Sequence, residues 1–122
     1  MLVVDDDAEN RAALRELLED SGSRISTAAN VPDALAKFEH DVPDVLLSDI
    51  GMPGEDGFDL IRRVRARPKA KGGAVPAAAL TGHARLEDRR NALRAGFMEH
   101  VPKPVDPEEL IALLSSLARS AA

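Results

Sequence analysis

The chain contains no cysteine, no tryptophan and no tyrosine, and only three phenylalanines among its 122 residues. Without thiols, disulfides, thiolate chemistry and cysteine-based zinc sites are excluded. With aromatics at 2%, the core must be built from Leu, Val, Ile and Ala, and the aromatic platforms on which nucleic-acid bases stack are missing. Cations are outnumbered, with 16 Lys and Arg against 21 Asp and Glu and a formal net charge of −5. An acidic chain has little to offer a phosphate backbone, because that binding draws on counterions displaced by basic side chains. Direct contact with nucleic acid is therefore not expected. No apolar run approaches the roughly 20 residues that span a bilayer, so no direct membrane contact is expected either. No basic stretch followed by an apolar one opens the chain, and the expected setting is cytoplasmic.

What remains is an ordinary soluble composition, 44% hydrophobic and 30% charged. A length of 122 residues is close to the commonest size of one domain, and residues 1–122 read as one. Short apolar runs alternate with amphipathic segments. The runs are Leu2–Val4, Ile25–Ala28, Val45–Ser48, Pro76–Leu80 and Glu99–Val101. Between them, Glu9–Asp20 repeats Ala13, Leu14, Leu17 and Leu18 at helical spacing, with Gly22 as a stop. Asn30 caps a segment running to His40 that shows Val31, Ala34, Leu35 and Phe38 on one side. Gly57–Arg67 places Ile61 and Val64 inward, with Arg62, Arg63, Arg65 and Arg67 as its polar face. Lys69–Gly73 is a polar linker, Arg85–Ala95 a weakly apolar helix, and Pro107 opens a last helix striped by Leu110, Ile111, Leu114 and Leu117. Five alternations of strand and helix predict an α/β fold with a parallel sheet covered on both faces.

In such sheets the site forms beyond the carboxyl ends of the strands. Asp5, Asp6 and Asp7 follow the first strand, Asp49 the third, Thr81 the fourth and Lys103 the fifth. Taken singly, an Asp here is a helix cap, Thr81 another cap and Lys103 a solvated charge; together they converge on one edge. Asp5, Asp6 and Asp49 carry three negative charges, which a divalent cation and Lys103 balance. Hard carboxylate oxygens favour Mg²⁺. A carboxylate so screened can act as a nucleophile toward phosphorus.

Val3-Val-Asp-Asp-Asp7, Ser48-Asp-Ile-Gly-Met-Pro-Gly54 with Asp56-Gly57, Leu80-Thr-Gly82 and Lys103-Pro104 resemble, in order and spacing, the receiver domain of two-component response regulators. The resemblance spans essentially the whole chain. It implies a doubly wound, flavodoxin-like sheet of strand order 2-1-3-4-5. It also implies that Asp49 is the phosphoacceptor, that Thr81 hydrogen-bonds the phosphoryl group and that Lys103 pairs with it. Mg²⁺ would be held by Asp6 directly, by Asp5 through water, by Asp49 and by the Gly51 backbone carbonyl. The Lys103–Pro104 bond would be cis. The donor would be a sensor histidine kinase or a histidine phosphotransfer protein. The output would be a downstream partner reached through the fourth helix, fifth strand and last helix, the same elements a homodimer would use. The segments around Asp49, Ala95-Gly-Phe-Met-Glu-His100 and Lys103-Pro-Val-Asp-Pro107 look most like the C-terminal receiver of hybrid sensor kinases. Two departures stand out. Gly51 offers no side chain to orient an attacking water, and His100 stands where many receivers carry an aromatic switch residue.

Two other readings compete. An aspartyl phosphohydrolase of the haloacid dehalogenase type needs Asp-x-Asp, which Asp49-Ile-Gly51 lacks; the chain is thus expected to be a signalling domain, not an enzyme with an external substrate. A degenerate receiver used only for docking would not need the full set of acids, Thr81 and Lys103. His83 reads as a loop residue, His40 as surface, and no pair of His has ligand spacing.

Overall fold

The computed structural model describes residues 1–51, 56–82 and 86–120, apart from the side chains of 86–88 and 120. In chain order the elements are β1 (Leu2–Val4), α1 (Ala8–Asp20), β2 (Ser26–Ala28), α2 (Val31–His40), β3 (Leu46–Asp49) and α3 (Gly57–Arg65). A 3₁₀ turn at Lys69–Lys71 leads to β4 (Ala77–Thr81), α4 (Leu86–Ala95), β5 (Glu99–Pro102) and α5 (Pro107–Ser120). The five strands are parallel and lie in the order β2-β1-β3-β4-β5, as the resemblance implied.

Alternation along each strand sorts the core into two layers. Leu2, Val4, Leu46, Ala77 and Ala79 meet α2, α3 and α4 through Val31, Ala34, Phe38, Leu60, Ile61, Val64 and Ala92. Val3, Leu47, Ala78 and Leu80 meet α1 and α5 through Leu14, Leu18, Leu110, Leu114 and Leu117. The central strands β1, β3 and β4 are buried at every position because both faces of the sheet are covered.

Side-chain caps set the starts of four helices. Asp7 accepts from the N–H groups of Glu9 and Asn10 at 2.9 and 3.1 Å, and Asn30 from that of Asp33 at 2.8 Å. Asp56 and Asp59 form a reciprocal capping box, each accepting from the other's N–H at 3.0 Å. Asp106 accepts from Glu108 and Glu109 at 2.9 and 3.2 Å.

The structure departs from the sequence reading at several points. Ala13 is exposed, so α1 is anchored by Leu14 and Leu18 with Leu17 partly buried. Ile25 precedes β2 and packs against the α1–α5 layer. The third helix ends at Arg65, two residues early, and part of the polar linker is a 3₁₀ turn. The expected start of the fourth helix at Arg85 lies outside the described residues, as do His83 and the loop Met52-Pro-Gly54.

Candidate functional site

In the order β2-β1-β3, the chain leaves β1 toward one edge and leaves β3 toward the other. The crevice of a doubly wound sheet opens at this reversal. Asp5 and Asp6 stand just beyond β1, and Asp49 is the last residue of β3. One carboxylate oxygen from each of Asp5, Asp6 and Asp49 lies within 4.8 Å of the others. Asp7, the third acid of the run, is spent on capping α1.

Burial differs within this group. Asp5 is 0% exposed, Asp49 is buried at 7%, and Asp6 is open to solvent. The Asp5 main chain is held on both sides, with its N–H donating to the Ala28 carbonyl at 3.1 Å and its carbonyl accepting from Arg11 Nη1 at 2.8 Å. Asp5 Oδ1 accepts from the Asp7 N–H at 2.9 Å, while Oδ2 is buried and accepts no hydrogen bond. Burial raises the Asp5 pKa above its ordinary 3.8; the Asp7 N–H and Lys103 oppose the rise, and Asp49 and Asp6 add to it.

Lys103 Nζ is 3.2 Å from Asp49 Oδ2 and 3.7 Å from Asp5 Oδ2. Register brings it there. Thr81 pairs with Pro102, and the Lys103 N–H donates to the Thr81 carbonyl at 2.7 Å. The two strand ends that carry Thr81 and Lys103 are thereby tied together. The Lys103–Pro104 bond is cis. Thr81 is buried at the end of β4. The Gly51 N–H donates to Asp49 Oδ1 at 3.2 Å, and a Cβ at Gly51 would meet nothing within 4 Å.

Asp5, Asp6, Asp49 and Lys103 thus meet at one edge, with the Thr81 main chain tied beside them, while Asp7 caps α1. Three carboxylates and one ammonium leave two uncompensated negative charges, and Asp5 Oδ2 is a buried acceptor without a donor. A divalent cation with oxygen preference satisfies both conditions.

Sequence reasoning missed two residues. Gly57 reads as a helix start, but a Cβ there would lie 2.5 Å from the Asp49 carbonyl oxygen and 2.9 Å from Ile50 Cα. Its missing side chain lets α3 abut the Asp49 backbone, with the Gly57 N–H on the Ile50 carbonyl at 3.1 Å. The Asp-Gly pair was visible; the close approach was not. Arg65 reads as polar face, yet its guanidinium lies half-buried between elements. Of the histidines described, His40 is exposed and His100 half-buried in β5. A broad groove of about 990 Å³ lies at the opposite ends of the strands, lined by residues such as Ser26, Lys37, His40 and Asp44, and takes no part in this site.

A doubly wound parallel sheet with an acidic, lysine-compensated crevice at its switch point defines a class of α/β domains whose site could hold a divalent cation. Comparison with known proteins narrows it. The model of the response regulator receiver domain family matches residues 1–115. An uncharacterised 14.6 kDa protein from the sodA1 3′ region of Leptolyngbya boryana is 52% identical over 114 residues, covering 93% of this chain and 86% of the relative. The DNA-binding transcriptional regulator NtrC of Salmonella typhimurium is 37% identical over 112 residues, 92% of this chain but 23% of NtrC. The chain likewise spans about half of the transcriptional regulatory protein PhoP of Escherichia coli. Among solved structures, the Vibrio cholerae chemotaxis protein CheY4 superposes with a TM-score of 0.88 at 31% identity, with 95% of each chain covered. A putative response regulator from Chloroflexus aurantiacus gives 0.89 at 30% identity, covering 97% of this chain and 95% of the other. The chain belongs to the response regulator receiver domain family of two-component systems. Among its described residues, no helix is long and apolar enough to cross a membrane.

Proposed function

We propose that this receiver domain accepts a phosphoryl group on Asp49 from a phosphohistidine donor, in a reaction that requires Mg²⁺. The observation that carries this reading is the cluster of Asp5, Asp6 and Asp49 oxygens within 4.8 Å, with Lys103 Nζ 3.2 Å from Asp49. Asp6, Asp5, Asp49 and the Gly51 carbonyl would hold the cation, which when bound supplies charge neutralisation for an incoming phosphate. An Asp49 oxygen attacks phosphorus, the phosphorus–nitrogen bond of the donor breaks with its electron pair going to nitrogen, and the imidazole, protonated on its other nitrogen in the donor, leaves as the neutral ring. Lys103 stays paired with the phosphoryl oxygens, and Thr81, at the end of the neighbouring strand, donates its hydroxyl to them. The donor is a sensor histidine kinase or a phosphotransfer protein in the cytoplasm. The acyl phosphate is the signal, and the domain serves a downstream partner and turns over no external substrate. A place at the end of a hybrid kinase belongs to the same reading. It draws on the resemblance of the segments around Asp49, His100 and Lys103.

Incubation with acetyl phosphate and Mg²⁺ should add the mass of one phosphoryl group. Asp49→Asn should abolish that addition, and EDTA should abolish it in the wild type. Full labelling of Asp49→Asn would overturn the assignment.

A further inference from the structure

Arg65, in the last turn of α3, takes no part in the chemistry. Its Nε donates to the Gly96 carbonyl at 2.9 Å, and its Nη1 to the carbonyls of Gly73 at 3.1 Å and Val75 at 2.6 Å. It pairs with no carboxylate among the described residues. One half-buried cation therefore joins three places: the end of α3, the segment before β4 and the turn that closes α4.

That turn is itself built around the contact. Gly96 has φ +127, and the N–H groups of Gly96 and Phe97 both return to the Ala92 carbonyl, at 3.2 and 3.1 Å. A Cβ at Gly96 would stand 2.8 Å from Arg65 Cγ, so the aliphatic stem fills the space that glycine leaves. The Met98 N–H then donates to Ala77 at 2.8 Å.

Arg89, Arg90 and Arg94 are exposed, Leu93 is 42% exposed, and Ala92 is the fully buried residue of α4 among the described side chains. Ala92, half-buried Ala95, Gly96 and Phe97 all lie toward the C-terminal end. The other end of α4 follows Thr81 and Gly82, where the phosphoryl group would act.

We propose that Arg65 is a positioning residue that pins the C-terminal end of α4, so that phosphorylation moves this helix from its N-terminal end only. Releasing the pin would leave a desolvated guanidinium and three carbonyls without partners, while the phosphoryl group would act at the other end of the helix, beyond Thr81. The inference rests on Asp49 being the acceptor.

Hydrogen exchange with and without beryllofluoride and Mg²⁺ tests it. In the wild type the mimic should change protection at residues 82–91 and leave the amides of 96–98 unchanged. In Arg65→Met, which keeps the stem, the change should spread to 96–98; Arg65→Lys, with a charge but no fork of donors, should fall between. Equal responses at 82–91 and 96–98 in the wild type would overturn the pin, as would an unchanged pattern in Arg65→Met. A wild type with no response anywhere would overturn the acceptor reading instead. The pin is then read without the mimic: Arg65→Met should exchange at least tenfold faster at 96–98, with Leu60 and Val64 unaltered, and equal rates would reject it.

Discussion

Asp5 shows what burial does to one carboxyl. It is fully enclosed, one oxygen has no donor, and its pKa stands above 3.8 chiefly because of desolvation. A carboxyl whose folded pKa exceeds its unfolded value favours folding while protonated. That contribution is complete below the unfolded value and is lost as pH rises through the folded one. Without a divalent cation, the domain should therefore lose stability from Asp5 as pH climbs through the raised pKa. Asp5→Asn should flatten that decline and melt above the wild type at pH 7 in EDTA. A variant that melts below the wild type under those conditions would mean that the Lys103 contact outweighs desolvation.

At the level of elements, α3 sets the surroundings of Asp49 from its first residue. Gly57 brings α3 against the Asp49 backbone, so Gly57→Ala sets two effects in opposition. Alanine gains about 0.5–1 kcal/mol inside a helix. Its Cβ, 2.5 Å from a backbone oxygen that cannot rotate away, forces a shift that costs about 1–3 kcal/mol. The clash should win: a lower denaturation midpoint and slower acetyl phosphate labelling of Asp49. Wild-type values of both would show that α3 adjusts without disturbing the acceptor.

The signal should emerge on α4, β5 and α5. Thr81 leads toward α4, and Lys103 follows β5, with the two main chains joined at 2.7 Å. The phosphoryl group adds about −1.5 to −2 charge and biases these elements only through contacts that differ between the two states. Exchange changes under beryllofluoride are expected within 81–103. Changes confined to α1 and α2 would locate the output elsewhere.

Across the whole molecule, the site is the point at which the fold pays for its function. Three acids in one crevice with one ammonium leave the metal-free domain under charge strain. Cation binding to the folded state alone should then stabilise the entire domain by linkage. At a tenfold excess over Kd the gain is about 1.4 kcal/mol, or roughly 5 °C in Tm for a domain of this size. Calorimetry with and without Mg²⁺ should show this rise in the wild type and lose most of it in Asp6→Ala. A variant that keeps the full rise would remove Asp6 from the ligands.

The sequence by itself determined the alternation of five strands and five helices, the cap at Asn30, and the placing of Asp5, Asp6, Asp49, Thr81 and Lys103 at or beyond strand ends. These are short-range properties, written in periodicity and in hydrogen bonds spanning two or three residues. Strand order came from the resemblance; alternation alone does not choose among the arrangements that five parallel strands allow. Only the tertiary structure decided that Ala13 faces water, that Gly57 abuts Asp49 and that Arg65 turns inward. A methyl group can sit on either side of a helix boundary. A long aliphatic stem with a charged head suits solvent as well as a set of carbonyls. Where each goes depends on what another part of the chain brings within reach, as Gly96 is brought to Arg65 from 31 residues away.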